Sequence, residues 1–479
     1  MHFISTRSND KENKNVNLKQ AIMAPNAPNG GLWSFDDFPK IDLLNLDISD
    51  YKAFCMGFLN QMLKNEDEQI RQIFINSLDA YSEFDYKTPK LQQISEHFYS
   101  LLLYHGKTRS FKDMALAPLG NIISSLAQLD NKKLLILVAT SGDTGPAALS
   151  SFANKNNIHV ICLYPKNGTS LIQKLQMTSQ NAKNLSVFGI NGNFDDAQKA
   201  VKNLLKDQDF LQNLQTKGYA LSVANSINIG RIIFQIIYYV WSYCKIKAAR
   251  SDLNANMKVI IPSGNLGNAL GAFYARNIVP ISKIVVANNA NNVVYEFLKT
   301  GIYDLRSRKL EKTLSPAMDI LIASNLERIL FALFGAEITT KCMLDLQNEG
   351  IFTLNKANLE ILQNIFEPAY CDDTNTLKVI KKYYEKGFLL DPHSASAFYA
   401  HDILKDHNLC LAIETAEFSK FPKTVVKAIF DNDMDDKTAL LELSKKHEIS
   451  PKILDLLHSK DNDNHLNLND IKLEILKAI

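Results

Sequence analysis

Six consecutive apolar residues, Leu134-Leu135-Ile136-Leu137-Val138-Ala139, run directly into Thr140-Ser141-Gly142-Asp143-Thr144-Gly145 and then a helical stretch from Pro146 to Asn154. A short apolar run closed by a glycine turn reads as a strand, and being apolar on both faces it has to be covered on both. The unit recurs as Val160-Ile161-Cys162-Leu163 before Pro165, and as Val259-Ile260-Ile261 before Gly264 and a helix through Arg276. Ile284–Ala287 and Leu409–Ile413 are two more candidate buried strands. Such strands alternating with helices restrict the chain to an α/β fold with helices on both faces of parallel sheets. Two clusters, around residues 134 to 190 and after residue 258, flank a long helical pattern from Asn225 to Lys245. We expect two open parallel-sheet lobes with a cleft between them. Ahead of them, residues 41 to 105 carry apolar residues at helical spacing (Phe54, Phe58, Met62), which predicts a mainly helical N-terminal region. From about Asp431 the chain is charged and helical and reads as a peripheral cap.

The two glycine turns are where chemistry concentrates. A strand that feeds a helix through small residues leaves unpaired N–H groups at the helix N-terminus, and with the helix dipole they form an anion seat. Ser263-Gly264-Asn265-Leu266-Gly267-Asn268 has this form, with Gly264 and Gly267 permitting close approach and Asn265 and Asn268 adding amide donors. Its glycine spacing fits neither a dinucleotide fingerprint nor a Walker A loop, which argues against a nicotinamide enzyme and an NTPase. In Thr140–Gly145 the hydroxyls of Thr140, Ser141 and Thr144 add donors around Gly142. Asp143 would repel an anion there, so it is expected to cap the helix or orient a neighbour. Upstream lies His105-Gly106-Lys107-Thr108-Arg109-Ser110-Phe111-Lys112-Asp113, where Phe111, Met114, Ala115, Leu116 and Ala117 give Lys112 apolar surroundings. A lysine that bonds a carbonyl must be able to lose its proton, and burial favours that. Thr415, just past the strand Leu409–Ile413, falls at the carboxyl end of the sheet, where α/β ligands bind. His393 in Asp391-Pro392-His393-Ser394 reads as structural or cleft-lining, with no second His or Cys at metal-ligand spacing.

Composition removes several other classes. The 479 residues allow two or three domains, and 46% apolar with 22% charged residues is ordinary for a globular protein. A net charge of +2 gives no field that argues for nucleic acid. The six scattered cysteines fit a reducing compartment rather than a disulfide framework or zinc site, and Cys162 and Cys410 read as core. The densest apolar run, Ile232 to Trp241, is too short to span a bilayer, and the N-terminus carries no secretory h-region. A cytoplasmic enzyme acting on a small molecule, with no nucleic-acid or membrane partner, is expected.

Taken in order, these segments resemble the threonine synthase family, pyridoxal-phosphate enzymes of the tryptophan-synthase β-subunit fold type. The resemblance spans nearly the whole chain. It starts at Ile4-Ser5-Thr6-Arg7 and Gly30-Gly31-Leu32-Trp33 and includes the lysine segment and the Ser-Gly-Asp-Thr-Gly loop. It continues through Tyr164-Pro165-Lys166, Gln176-Met177-Thr178, Asn225-Ser226-Ile227-Asn228 and the Gly264 turn. Leu314-Ser315-Pro316-Ala317-Met318-Asp319-Ile320, Ser324-Asn325-Leu326-Glu327-Arg328, Asp391-Pro392-His393 and Lys420-Phe421-Pro422 complete it. The resemblance implies that Lys112 is the Schiff-base lysine and that Gly264, Asn265, Leu266, Gly267 and Asn268 hold the phosphate of pyridoxal 5'-phosphate. It implies that Thr415 faces the pyridine nitrogen, that Thr140, Ser141, Gly142, Asp143 and Thr144 meet the substrate, and that Asn225 lies nearby. The expected domains are 1–100, mainly helical; 101–130 with 225–479, the large cofactor-binding domain; and 131–224, a small mobile substrate-side domain. The implied reaction is O-phospho-L-homoserine and water to L-threonine and phosphate, the last step of threonine biosynthesis, in a monomer or homodimer without a metal. A same-fold dehydratase or phospho-lyase is the alternative.

The chain departs from the family pattern at several places. Lys107 stands for a proline, Arg109 and Ser110 for small or apolar residues, Pro146 for a lysine, Leu266 for phenylalanine and Asn29 for aspartate. The largest departure is Ala416-Glu417-Phe418-Ser419, where the family has a histidine and proline before the lysine, so that Glu417 puts an anion in place of a ring that can be cationic. Loss of a lysine at Pro146 with gain of Lys107 and Arg109 suggests that one phosphate-binding cation has been exchanged for another.

Overall fold

The computed structural model describes residues 1–7, 15–85, 89–250, 256–405 and 408–479. Five parallel strands form the smaller sheet, in the order His465–Leu466, Leu185–Ile190, Ile158–Pro165, Lys133–Ala139, Tyr219–Val223. Six strands form the larger, in the order Phe366–Tyr370, Ile281–Asn288, Met257–Pro262, Cys410–Glu414, Phe98–Leu102, Lys90–Gln93; all are parallel except the last, an antiparallel edge. The α/β architecture with two parallel-sheet lobes is thus as expected. Every residue of Ile158–Pro165 and of Cys410–Glu414 is buried, which is what apolar runs covered by helices on both faces require. Cys162 and Cys410 are fully buried core residues.

The helix Ile229–Ala249 is the main structural element of the interior. Ile232, Ile233, Ile236 and Ile237 have no exposed surface. Burial of each contributes on the order of 2 kcal/mol, which exceeds the few tenths that a β-branched residue costs in a helix. Gly271 lets the helix Gly267–Ala275 pack directly on it, since a Cβ at that position would come within 2.9 Å of the Gln235 side chain. That packing fixes the glycine turn preceding Gly267 against the same long helix.

Three parts differ from the sequence expectation. Within residues 41–105 the helices Tyr51–Met62 and Glu68–Ser77 form, but Lys90–Gln93 and Phe98–Leu102 are sheet strands. A short strand buried on both faces, such as Phe98–Leu102, has no alternation to distinguish it from a helix. The first 35 residues contribute a three-stranded antiparallel sheet from His2–Ser5, Val16–Asn17 and Trp33–Phe35. The charged C-terminal stretch does more than cap. Asp436–Ser444 packs on the large lobe's helix Pro422–Phe430, after which the chain crosses over, and His465–Leu466 becomes the edge strand of the small sheet. Among the described residues no helix is long and apolar enough to cross a membrane, and no group of side chains could hold a metal ion.

Candidate active site

Lys112 enters the cleft at the end of a loop leaving the strand Phe98–Leu102, one residue before the helix Asp113–Leu129. That loop is tied along its length. Phe111 N–H donates to the Thr415 carbonyl (2.8 Å), Glu417 N–H donates to the Arg109 carbonyl (3.1 Å), and Ser110 pairs antiparallel with Ala416. Thr108 adds a second tie, donating N–H and hydroxyl to the Asp113 carboxylate at 2.8 and 2.7 Å. The main chain of Lys112 is therefore set by residues about 300 positions away. Its Nζ lies 3.3 Å from Asp143 Oδ2, with only 12% of the side chain exposed. Burial lowers its pKa below that of an ordinary lysine; Asp143 opposes this, while Lys420 and Arg231 push it further down. An amine with a lowered pKa is more readily available as a nucleophile or base.

The turn at Gly264 presents a cup to the same cleft, lined by all of Ser263 to Asn268. Leu266 adopts a left-handed conformation (φ 56°) immediately before the helix Gly267–Ala275 and is buried. Asn265 is held from outside, its side-chain oxygen accepting from Ser324 Oγ (3.1 Å) and its carbonyl from Asn325 Nδ2 (3.1 Å). Asn268 Oδ1 accepts from the hydroxyls of Tyr238 and Tyr239, both at 2.5 Å. That leaves its buried Nδ2 without a partner, as is the buried Ser263 hydroxyl. Two unsatisfied buried donors beside a helix N-terminus are what an anion seat needs.

The opposite wall begins at the Ser141–Thr144 loop, of which Ser141, Asp143 and Thr144 line the cleft. Thr140 and Gly142 do not. The Thr140 hydroxyl turns inward to accept from the N–H groups of Gly142 and Gly145, both at 3.0 Å, and so shapes the loop from behind. Gly142 sits at φ 139°, where a Cβ would lie 2.4 Å from Gln173 Oε1. Asp143 makes no capping bond to the helix Thr144–Phe152. Its carboxylate instead meets Lys112, Lys420 and Gln173. Burial works to raise its pKa, but Lys420 and Lys112 outweigh it and hold the group well below the usual carboxylate range.

Asn225, exposed, and Thr415, buried, also line the cleft. Thr415 N–H donates to Ser394 Oγ (3.1 Å), which also donates to Asp391 Oδ2. His393 lies beside them. Its Nε2 accepts from Ala317 N–H (3.0 Å), so the proton is on Nδ1, donated to Asp391 Oδ1 (2.7 Å).

Arg231 was not singled out by the sequence, yet it lines the cleft and is 3% exposed. Its only hydrogen bond from the side chain among the described residues is a 3.4 Å contact to the Ala224 carbonyl, and Nε has no partner. Burial pushes its pKa down to about 10, and no carboxylate offsets that. The signal was available: Arg231, at the edge of the densest apolar run, and Gln235, inside it, are one helical turn apart, so both face the same way. The suggested exchange of cations is not what the structure has. Arg109 is buried against Asp85, with Glu417 at 3.8 Å, and Lys107 pairs with Glu83 at the surface; neither lines the cleft.

Residues 84–413 match the sequence pattern of the pyridoxal-phosphate dependent enzyme family. The chain is 32% identical over 500 residues to threonine synthase of Saccharomyces cerevisiae, covering 96% of this chain and 95% of that protein. The chain belongs to the threonine synthase family. It is also 35% identical over 451 residues to human threonine synthase-like 1, of whose length it spans 60%. The crystal structure of pyridoxal-phosphate-bound threonine synthase from Brucella melitensis superposes with a TM-score of 0.87, at 27% identity, over 100% of this chain and 99% of that one. Membership in the family makes pyridoxal phosphate the cofactor, and the cleft fits it. One amine with a lowered pKa, a glycine turn with two unpaired buried donors and a hydroxyl at a strand end share one space.

Proposed function

We propose that the chain converts O-phospho-L-homoserine and water to L-threonine and phosphate, breaking the γ C–O bond and adding the water oxygen at the β-carbon. Arg231 carries this reading. A buried cation with no carboxylate partner lines the same cleft as Lys112 and the Gly264 turn, so the site holds one anion seat beyond the cofactor's own. A phosphorylated amino acid fills that seat, whereas a plain hydroxyamino acid leaves a buried charge unpaired at a cost of several kcal/mol. This favours threonine synthesis over a dehydratase.

Bound pyridoxal phosphate supplies a carbonyl for the Lys112 amine and a conjugated ring that spreads negative charge from the substrate carbons. Gly264, Asn265, Leu266, Gly267 and Asn268, with the Ser263 hydroxyl, hold its phosphate, and the Thr415 hydroxyl faces the ring nitrogen. Thr415 is neutral and its position is fixed through Ser394 and Asp391, so it orients the ring without adding charge. Lys112 Nζ takes the α-proton and holds it as an ammonium beside Asp143. Ser141 and Thr144, at the N-terminus of the helix Thr144–Phe152, bind the substrate carboxylate, with Asn225 close by. Arg231 binds the leaving phosphate. Residues 131–224, together with the strand His465–Leu466 and the helix Ile471–Ala478 that complete their sheet and core, act as the mobile lobe. Phe194 and Gln198 on the helix Phe194–Leu204 line the cleft from that side, where closure excludes stray water.

The test is a product assay on O-phospho-L-homoserine. One threonine for each phosphate released supports the reading. A keto acid in its place makes the protein a phospho-lyase, and homoserine makes it a phosphatase; either overturns it.

A further inference from the structure

Lys420 has no exposed surface, and its ammonium has two partners among the described residues: Asp143 Oδ1 at 2.7 Å and the Thr108 carbonyl at 2.8 Å. Gln173 Nε2 donates to the same Asp143 oxygen at 2.9 Å. One side of the carboxylate is thereby pinned. The other oxygen faces Lys112 Nζ at 3.3 Å and the Ser110 hydroxyl at 3.4 Å. A single carboxylate on the small-lobe loop thus bridges two lysines of the large lobe. We propose that Lys420 is a positioning residue that acts through Asp143 to set the ionisation of Lys112. The proposal rests on Lys112 being the reactive amine.

The reasoning is electrostatic. Asp143 stands on the loop that has to receive an anion, and a free carboxylate there would repel it. Held by Lys420 and Gln173, it is turned away from that role, and the Lys420 charge on its far side offsets part of its field at Lys112. The other charged or titratable groups around these residues are Arg231 on the long helix, His393 near Asp143, Asp113, whose carboxylate is occupied by Thr108, and Glu417 near Lys420, whose carboxylate accepts from Ser419 and lies beside Arg109. With Lys420 neutralised, the field of Asp143 at Lys112 is no longer offset, and Lys112 holds its proton more tightly. With Asp143 neutralised, Lys112 faces Lys420 and Arg231 alone and releases its proton more easily. The two changes act in opposite directions. Simple loosening of the structure would instead move both toward an exposed lysine.

Competitive acetylation of cofactor-free protein from neutral to alkaline pH, read on the Lys112 peptide by mass spectrometry, measures this directly. We expect Lys420→Met to raise the labelling midpoint by about one pH unit and Asp143→Asn to lower it by a similar amount. Lys420→Gln, which keeps a donor for the Thr108 carbonyl but not the charge, should follow Lys420→Met. A midpoint that stays put or falls in the Lys420 variants, or that rises in Asp143→Asn, overturns the proposal. If the Lys420 variants do not fold, Asp143→Asn decides alone, and an unmoved midpoint overturns it. Neither cofactor nor substrate is present, so a protein that shows the opposite shifts yet makes no threonine defeats only the functional reading.

Discussion

A buried charge without a counter-charge destabilises a protein, and Arg231 is retained in that condition inside an apolar helix. Its substitution therefore separates function from stability. We expect Arg231→Gln to lower kcat/KM for the phosphorylated substrate by roughly 10- to 100-fold, the equivalent of one or two charge-assisted hydrogen bonds. We expect its melting temperature to be no lower than that of the parent. Steady-state kinetics and thermal unfolding check the two halves. At this scale the sequence was informative where a residue is unusual for its setting. That the Gly264 turn and Thr415 line the cleft was legible from small residues at strand ends, and that Lys112 joins them from its apolar neighbours Phe111 and Met114 to Ala117. Thr140 was not, because a hydroxyl turned inward to shape a loop reads the same as one turned outward to a ligand. For Arg231 the signal was its alignment with Gln235 one turn on, but an arginine at the edge of an apolar run reads equally as the run's solvated end.

Between elements, the loop carrying Lys112 is held by its pairing with residues 415–417, and Arg109 is the clearest part of that arrangement. It sits at φ 57°, a costly conformation for a side chain, and buries its guanidinium against Asp85 and Glu417. The departures at Arg109 and Glu417 are thus two halves of one contact. No local pattern could reveal this, since the partners lie 308 positions apart in sequence and only the fold brings them together. Glu417 depends on the pairing, because burial raises its pKa and Arg109 opposes that. We expect Arg109→Met to cost about 3 kcal/mol of stability in chemical denaturation, while changing KM far less than Arg231→Gln does. Arg109→Met combined with Glu417→Met should recover part of that loss, as a double-mutant cycle would show.

Across the whole molecule, the two-lobed architecture was readable because apolar runs and glycine turns repeat. The return of the C-terminus to the small lobe was not. The strand His465–Leu466 is two residues long, and Gly189 N–H donates to the Asn464 carbonyl (2.7 Å) just before it. Ile471 and Ile475 complete the small-lobe core, and Lys472 pairs with Asp207 and Asp209. A chain truncated after Ser459 should show faster hydrogen exchange in Leu185–Ile190 and Gln208–Thr216, with Met257–Pro262 unchanged. What the two lobes accomplish is to bring one amine of lowered pKa to a cleft that a glycine turn with unpaired buried donors and a buried arginine also line. Borohydride reduction of the cofactor-loaded protein, followed by peptide mapping, tests that claim most directly. We expect the pyridoxyl group on Lys112 alone; finding it on Lys420, Lys202 or any other lysine would contradict the account.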